Sequence, residues 1–183
     1  MMTEVREKEL LKAAPDNVGH PTSDQFRRYP RLVIFPPLIP LSILIVGIIL
    51  NFVVPVDLVA HVPLQGRIVV GFFASVIGLG MVIGANRLFR RIGTNVRPSQ
   101  PALVLATTGM YTWTRNPMYV GGSIALVGIA ILSALDWVLL LLVLSLPLVH
   151  YGIIIREERY LERKFGDEYR FYKKKVPRYF WRL

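Results

Sequence analysis

The polar residues of this chain that could do chemistry lie in two short segments, one on each side of a long apolar stretch. The first contains Arg115, Asn116 and Tyr119, and the Asn116-Pro117 dipeptide is typical of the start of a helix. Unpaired backbone N–H groups at a helix start favour an anion, such as a ligand carboxylate. The segment is therefore a candidate binding site. The alternative is that the arginine and tyrosine only anchor a helix at a membrane surface.

The second segment begins with two adjacent carboxylates, Glu157 and Glu158, where a long apolar stretch ends. Two carboxylates at a membrane boundary are costly unless they are solvated or paired. Arg115 or a cationic ligand is one natural partner for them. The alternative is a solvated helix face, since Arg156 and Arg159 offer local partners.

Several classes of site and partner are disfavoured by composition. The chain has no cysteine, which excludes a disulfide framework, a cysteine-ligated metal site and a cysteine nucleophile. Its three histidines are far apart and lack metal-ligand spacing, so no metal site is expected. The net charge is +10, but the basic residues flank apolar segments, where they set membrane topology. We therefore expect lipid headgroups as partners and no nucleic acid.

The elements that must position these residues are membrane helices. Of the 183 residues 53% are hydrophobic, the mean hydropathy is +0.45, and the charges are clumped rather than spread. Residues 1–31 are polar, have no signal-peptide core, and are expected to be flexible. Four apolar segments follow, at residues 32–52, 68–85, 119–134 and 137–155. The last two are joined by a turn at residues 133–136; a single re-entrant segment is the alternative, but their combined length favours two crossings.

Lysine and arginine counts predict how these segments are oriented. The successive loops carry six, one, five, none and ten of the 22 basic residues. Because cytoplasmic loops are rich in lysine and arginine, the N-terminus, the middle loop and the tail are placed together in the cytoplasm. The sequence thus predicts an all-α integral membrane protein with about four transmembrane helices and both termini cytoplasmic, in the inner or plasma membrane.

Three finer features concern how these helices bend, pack and end. Pro147 predicts a kink in the fourth helix. Gly80 and Gly84 have the spacing of small residues that let two membrane helices approach closely. Residues 161–172 are predicted to continue as an amphipathic helix at the membrane interface, with one apolar face. That face is formed by Leu161, Phe165, Tyr169 and Tyr172.

The order of the motifs along the second half of the chain resembles that of a known family. These motifs are residues 93–98, 107–111 and 115–121, followed by the tail from Glu157-Glu158 to residues 176–178. They resemble the isoprenylcysteine carboxyl methyltransferase family, which is related to the phospholipid N-methyltransferases. The resemblance covers about half of the chain, from Arg87 to the C-terminus.

The resemblance implies a methyltransferase that uses S-adenosylmethionine, with a cytosol-facing cofactor pocket in residues 86–183 and two preceding helices in residues 32–85. It implies Arg115 and Glu158 as catalytic residues and a lipophilic acceptor in the membrane. It also implies that the cationic part of the cofactor binds Glu157 or Glu158. The implied cofactor-binding residues are Leu105, Ala106, Thr107, Gly109, Tyr111, Asn116, Pro117, Met118, Tyr119, Glu157 and Glu158.

Two departures from the family pattern bear on the acceptor. Asn116 stands where prenylcysteine-methylating members usually have histidine, and asparagine can still cap and donate. Those members also carry an arginine one turn before the paired glutamates, near Ile153 here. A prenylcysteine carboxylate, a phospholipid amine and another hydrophobic acceptor thus remain open. A non-catalytic membrane scaffold or degenerate ligand-binding member is the alternative of another class, and a transporter is less favoured because no charge is expected at mid-membrane depth.

Overall fold

The computed structural model describes residues 38–94 and 102–180. Within these ranges 76% of the residues are helical and none forms a strand, which confirms the all-α prediction. The elements in chain order are α1 (Leu38–Val53), α2 (Leu64–Arg91), a 3-10 turn (Gly109–Thr112), α3 (Pro117–Ser133), α4 (Asp136–Val149), a π-helical turn (His150–Ile154), α5 (Ile155–Phe165) and α6 (Asp167–Lys175).

Two of the helical segments are long and apolar enough to cross a membrane. These are α2, with 28 residues, and the continuous run Asp136–Phe165, with 30 residues; each contains an 18-residue stretch with a mean hydropathy of 2.4 or 2.5, respectively. At about 1.5 Å per residue both exceed the roughly 30 Å of a bilayer core. The apolar helices α1 and α3 are shorter, at 16 and 17 residues. Residues 32–37 of the predicted first span lie outside the described residues.

The surface of these helices is apolar in the way that lipid contact requires. On α2, Phe72, Phe73 and Ile77 each expose more than half of their surface, and Leu144 on α4 exposes 73%. A soluble protein of this size rarely exposes contiguous apolar surface of this extent. Together with the two long apolar helices, this surface indicates a membrane protein.

Glycines bring α2 and α3 into the most extensive helix contact of the described residues. The glycines at this contact are Gly71, Gly78, Gly121 and Gly128. A Cβ atom at Gly121 would lie 2.8 Å from the Gly78 carbonyl oxygen, so no larger residue fits there without a shift. The predicted contact at Gly80 is wrong, because no described atom lies within 4 Å of a Cβ built there, and Gly84 faces only the Met110 side chain.

A buried acid organises the turn between α3 and α4, which falls at residues 133–136 as predicted. Ala134 adopts the left-handed conformation, with φ of 49°, and α4 begins at Asp136. Asp136 is 1% exposed, and its two carboxylate oxygens accept the backbone N–H groups of Val59 at 2.9 Å and Leu58 at 3.2 Å. The turn is thereby fastened to the loop between α1 and α2.

The long fourth helix changes its hydrogen-bonding pattern where a kink is predicted. Pro147 lies inside α4, cannot donate a backbone hydrogen bond, and crowds the preceding turn. The five residues after the end of α4, His150–Ile154, form the π-helical turn, after which α5 resumes an α-helical pattern. This turn separates the apolar α4 from the charged α5, which carries Glu157 and Glu158.

The predicted continuous helix over residues 161–172 is wrong at Gly166. This glycine has φ of 53°, a conformation that suits glycine, and it ends α5 and precedes α6. The break turns Tyr169 and Tyr172 onto the protein, where both are buried. Their cluster also contains Ala85, Leu105, Ala106, Tyr111 and Val176, with Leu161 and Phe165 packed against it. The apolar face predicted for the interface therefore contacts protein.

Candidate functional site

A cavity of about 450 Å³ lies between the apolar helices and the C-terminal segments. Part of its wall is apolar and comes from α1, α3 and α4; we call this the apolar end, and it includes Ile39, Ile43, Leu126, Leu142 and Leu146. We call the residues Arg115, Tyr119, Glu157, Glu158 and Tyr169 the polar end. One cavity thus adjoins both buried charge and the apolar interior of the helix bundle.

Glu158 is held between two arginines from segments far apart in the chain. One of its oxygens lies 3.0 Å from the Nη2 atom of Arg115, and the same oxygen accepts the Nε–H of Arg178 at 3.0 Å. The other oxygen accepts Nη2 of Arg178 at 2.8 Å. The side chains of Arg115 and Glu158 are only 7% and 6% exposed, whereas Arg178 is 31% exposed. The predicted pairing of Arg115 with one of the two glutamates is confirmed for Glu158.

Several buried polar atoms at the cavity have no hydrogen-bond partner among the described residues. They are Nε and Nη1 of Arg115 and the hydroxyl groups of Tyr160 and Tyr169. All three residues line the cavity. Buried donors are nearly always paired in folded proteins, so these atoms mark a place where a ligand fits.

The chain after α6 fastens the segment that carries Arg115. The backbone N–H of Arg115 donates to the carbonyl of Pro177 at 3.0 Å, and the Thr114 hydroxyl donates to the carbonyl of Arg178 at 2.9 Å. The Asn116 side-chain amide donates to the same Arg178 carbonyl at 3.1 Å. Asn116 does occupy the position before α3, but its side chain caps no helix N–H, contrary to the prediction. Its amide fastens the tail instead.

Glu157 differs from its neighbour in what surrounds it. It lines the cavity, and its side chain interacts with the Tyr119 hydroxyl of α3. Among the described residues it forms no ion pair with an arginine or lysine. Of the two adjacent glutamates, Glu157 is therefore the one whose carboxylate is not already paired with an arginine.

Buried aromatic residues form another part of the cavity wall. The rings of Phe89 and Tyr111 are stacked, with centroids 5.3 Å apart and planes at 17°. The Tyr172 hydroxyl donates to the Tyr111 carbonyl at 2.7 Å. Burial raises the pKa of Tyr111, Tyr169 and Tyr172 well above the usual tyrosine value, so these hydroxyl groups stay protonated at neutral pH. A planar aromatic ligand group can pack against this wall.

Most of the predicted site residues meet at this cavity. Nine of them line it: Leu105, Ala106, Tyr111, Arg115, Asn116, Met118, Tyr119, Glu157 and Glu158. Thr107, Gly109 and Pro117 do not. Gly109 shapes the 3-10 turn with φ of 60°, and Pro117 is buried at the start of α3, where it was predicted. Part of the motif at residues 93–98 lies outside the described residues.

Three residues at the site were not predicted to act there. The sequence predicts Tyr169 on the apolar face of an interfacial helix, indicates no role for Tyr160, and includes Arg178 only in the tail motif. The alternation of charge and aromatic residues in the tail gives no signal for their positions, because the break at Gly166 decides which face turns inward.

Comparison with known proteins gives the following matches. A sequence model of a family described as phospholipid methyltransferase matches residues 66–168, which is more than half of the chain. An uncharacterised protein of Haemophilus influenzae is 39% identical over 70 residues, which cover 38% of this chain and 86% of that relative. No solved structure matches. The matched family range includes Arg115, Glu157 and Glu158 and ends before Tyr169 and Arg178.

Proposed function

Because the chain belongs to the phospholipid methyltransferase family, we propose that it transfers a methyl group from S-adenosylmethionine to a lipophilic acceptor in the membrane. The family match supports methyl transfer but does not specify the acceptor, and membership in the isoprenylcysteine carboxyl methyltransferase family stays a prediction. The observation that carries the proposal is the cavity, in which buried charged groups adjoin an apolar wall formed by membrane helices. Such a cavity suits a polar cofactor and an apolar acceptor together.

The polar end fits a zwitterionic cofactor. Arg115 retains two buried nitrogens without a partner among the described residues, and these suit a carboxylate. Glu157 suits an ammonium group, and the wall of Leu105, Ala106 and Tyr111 suits an adenine ring. When bound, S-adenosylmethionine supplies an electrophilic methyl group on a sulfonium centre.

The residues of the chain have three tasks in this reaction. The apolar wall excludes water and orients the acceptor, which can supply much of the rate when no covalent nucleophile is used. Arg115 lies beside the reacting groups and is proposed as the catalytic residue. Glu158 was predicted to be catalytic too, but since two arginines enclose it, we propose that it acts by positioning Arg115.

We further propose four membrane crossings, with residues 86–183 as the catalytic core and the polar end facing the cytoplasm. The charge count of the loops supports this orientation, and the basic last turn of α6 would lie near the lipid headgroups. The chain has no cysteine, so single cysteines can report topology. In intact cells, a membrane-impermeant maleimide should label Ser133→Cys and should label Lys174→Cys only after lysis. The reverse pattern would contradict the orientation.

The test of methyl transfer is a binding and activity measurement on the purified protein. Calorimetry should detect S-adenosylhomocysteine binding, and membranes should incorporate label from methyl-labelled S-adenosylmethionine into lipid-soluble product. Arg115→Ala should weaken binding by about tenfold or more, because charge-assisted hydrogen bonds are lost. Arg170→Gln, an exposed arginine on α6, is the matched control and should bind normally. Absence of binding in the wild type would sink the proposal, and binding without transfer would favour the non-catalytic alternative.

A phospholipid amine is the second candidate acceptor, and one position favours it over a carboxylate. Ile153, where a substrate-binding arginine would stand in prenylcysteine-methylating proteins, is 3% exposed and belongs to an apolar cluster. Among the described residues that line the cavity, Arg115 is the only arginine or lysine. Mass spectrometry of lipids from cells with and without the protein separates the candidates. Added methyl units on phosphatidylethanolamine would identify the amine, and an unchanged lipid profile would argue against it.

A further inference from the structure

We propose that the polar end contains an oxyanion subsite, formed by the Arg115 guanidinium and the Tyr169 hydroxyl and kept open by Arg178. The subsite would bind a carboxylate or a phosphate group. Its connection to methyl transfer rests on the proposed function, but the binding of an oxyanion does not. Neither Tyr169 nor Arg178 lies in the matched family range, so the inference rests on the contacts of this chain alone.

The charges in contact around Glu158 do not balance. Two guanidinium groups contact this one carboxylate, and Glu157, the other carboxylate of the polar end, forms no ion pair with either of them, so the contacts leave one positive charge in excess. Arg178 is 31% exposed, so solvent reaches it, whereas Arg115 is only 7% exposed. A buried charge without a counter-ion is unfavourable, and the excess therefore favours an anion beside Arg115.

Several hydrogen-bond donors at the polar end remain available to a ligand. Arg115 uses Nη2 for Glu158, while its buried Nε and Nη1 have no partner among the described residues. The Tyr169 hydroxyl is likewise buried and without a described partner, and Tyr169 and Arg115 line the same cavity. Burial raises the pKa of Tyr169, so the hydroxyl keeps its proton and can donate. A guanidinium and a hydroxyl that donate together match the acceptor oxygens of a carboxylate or phosphate.

Arg178 touches the subsite only through Glu158. A carboxylate and an arginine readily form two parallel hydrogen bonds. Arg178 occupies one Glu158 oxygen fully and shares the other, so Glu158 has only one oxygen left for Arg115. Without Arg178, both oxygens of Glu158 could engage Arg115 and take up a second guanidinium nitrogen. Arg178 is therefore a positioning residue that keeps Arg115 available to a ligand.

Two ligands could supply the oxyanion, and their chemistry separates them. One is the amino-acid carboxylate of the cofactor; the other is a phosphate in the headgroup of the acceptor. The probes are paired so that each anionic compound has a neutral counterpart. S-adenosylhomocysteine is compared with 5′-methylthioadenosine, which lacks the amino-acid carboxylate, and octyl phosphate is compared with octanol.

The experiment is titration calorimetry of the full-length protein in detergent, with three variants. Arg178→Gln should lower the affinity of the protein for at least one anionic probe by about tenfold, and Tyr169→Phe should lower it by about threefold. The affinities for the neutral counterparts should not change. Tyr169→Phe retains the packed ring and keeps the test usable if Arg178→Gln does not fold. Arg170→Gln removes the same charge from an exposed position and should match the wild type.

Each pattern of results has a defined meaning. If the variants lose affinity for S-adenosylhomocysteine alone, the subsite is supported and its ligand is the cofactor carboxylate. If they lose affinity for octyl phosphate alone, the subsite is supported and its ligand is a headgroup phosphate. Unchanged affinity for both anionic probes overturns the proposal, as does an equal loss for anionic and neutral probes. If the wild type binds octyl phosphate selectively but not S-adenosylhomocysteine, the subsite stands and the proposed methyl transfer fails.

Discussion

The continuous helical run from α4 to α5 contains a buried carboxylate towards each of its ends, but the partners of the two acids differ. Asp136, in the turn, accepts two backbone N–H groups from one short loop. Glu158, at the other end, is enclosed by Arg115 and Arg178, side chains from two distant segments. Both acids are nearly inaccessible to solvent, so burial alone does not separate their roles.

The difference lies in what the partners leave unpaired. Backbone amides carry no net charge, and both of the amides here donate their hydrogen bonds to Asp136. The carboxylate therefore serves to hold the loop between α1 and α2 in place. The two arginines around Glu158 carry more positive charge than its one carboxylate can balance. Two N–H donors of Arg115 also remain without a described partner. Complete pairing indicates structural support, while an excess of buried donors indicates a ligand site. The following predictions separate stability from binding at the two ends.

Removing the charge of Glu158 should have the largest effect. Glu158→Gln leaves two guanidinium groups close together without a counter-ion, and breaking a buried pair in this way lowers the free energy of unfolding by about 3 kcal/mol. Chemical unfolding in detergent micelles, followed by circular dichroism, measures the change. Glu168→Gln, an exposed acid on α6, is the control and should unfold like the wild type. Equal stability of the two variants would show that the arginines do not depend on Glu158.

The matched change at the other end should affect stability but not binding. Asp136→Asn removes the charge and one of two acceptors, so a backbone N–H of Leu58 or Val59 loses its partner, at about 2 kcal/mol. The affinity for S-adenosylhomocysteine should stay at the wild-type value. Asp57→Asn, an exposed acid in the same loop, is the control. A loss of ligand affinity in Asp136→Asn would erase the distinction between the two ends.

Alkaline pH should weaken the polar end through its buried tyrosines. The pKa of Tyr169 is raised by burial, while an unfolded tyrosine releases its proton near pH 10. The unfolded state thus binds fewer protons above pH 10, and stability falls as pH rises toward the folded pKa. At pH 11 the loss is about 1.4 kcal/mol for each such tyrosine.

Unfolding at pH 9 and pH 11 measures this dependence. Tyr169→Phe should lose less stability between the two values than the wild type, because the hydroxyl with the raised pKa is absent. Asp136→Asn should retain the full pH dependence. An identical pH dependence in Tyr169→Phe and the wild type would place the alkaline sensitivity elsewhere.

The sequence predicts the parts of this molecule that depend on chain-local patterns. Each of the four apolar segments contains a helix, and the turn at residues 133–136 follows from its polar interruption. The pairing of Arg115 with one glutamate also follows, because a buried carboxylate at a helix end needs a cation. These features require only hydropathy, turn residues and charge.

The features that the sequence did not predict depend on which face of a helix turns inward. A face of leucine and aromatic residues looks the same whether it meets lipid or protein, so Tyr169 was placed wrongly. The choice of Gly78 rather than Gly80 as a contact depends on the rotation of α2 about its axis. The Glu158–Arg178 contact joins residues on either side of the break at Gly166, and hydropathy carries no signal for it.

The smallest effect should come from a single hydrogen bond beside Asp136. The Trp137 indole N–H donates to the Val54 carbonyl at 2.6 Å, which ties the start of α4 to the loop after α1. Trp137→Phe keeps an aromatic ring but removes the donor, so the free energy of unfolding should fall by about 1 kcal/mol. Trp113→Phe, at an exposed tryptophan near the polar end, is the control and should unfold like the wild type. This hydrogen bond lies at the end of the molecule away from the polar end, so Trp137→Phe should bind S-adenosylhomocysteine with the affinity of the wild type. A lower affinity would show that the Asp136 turn also shapes the cavity.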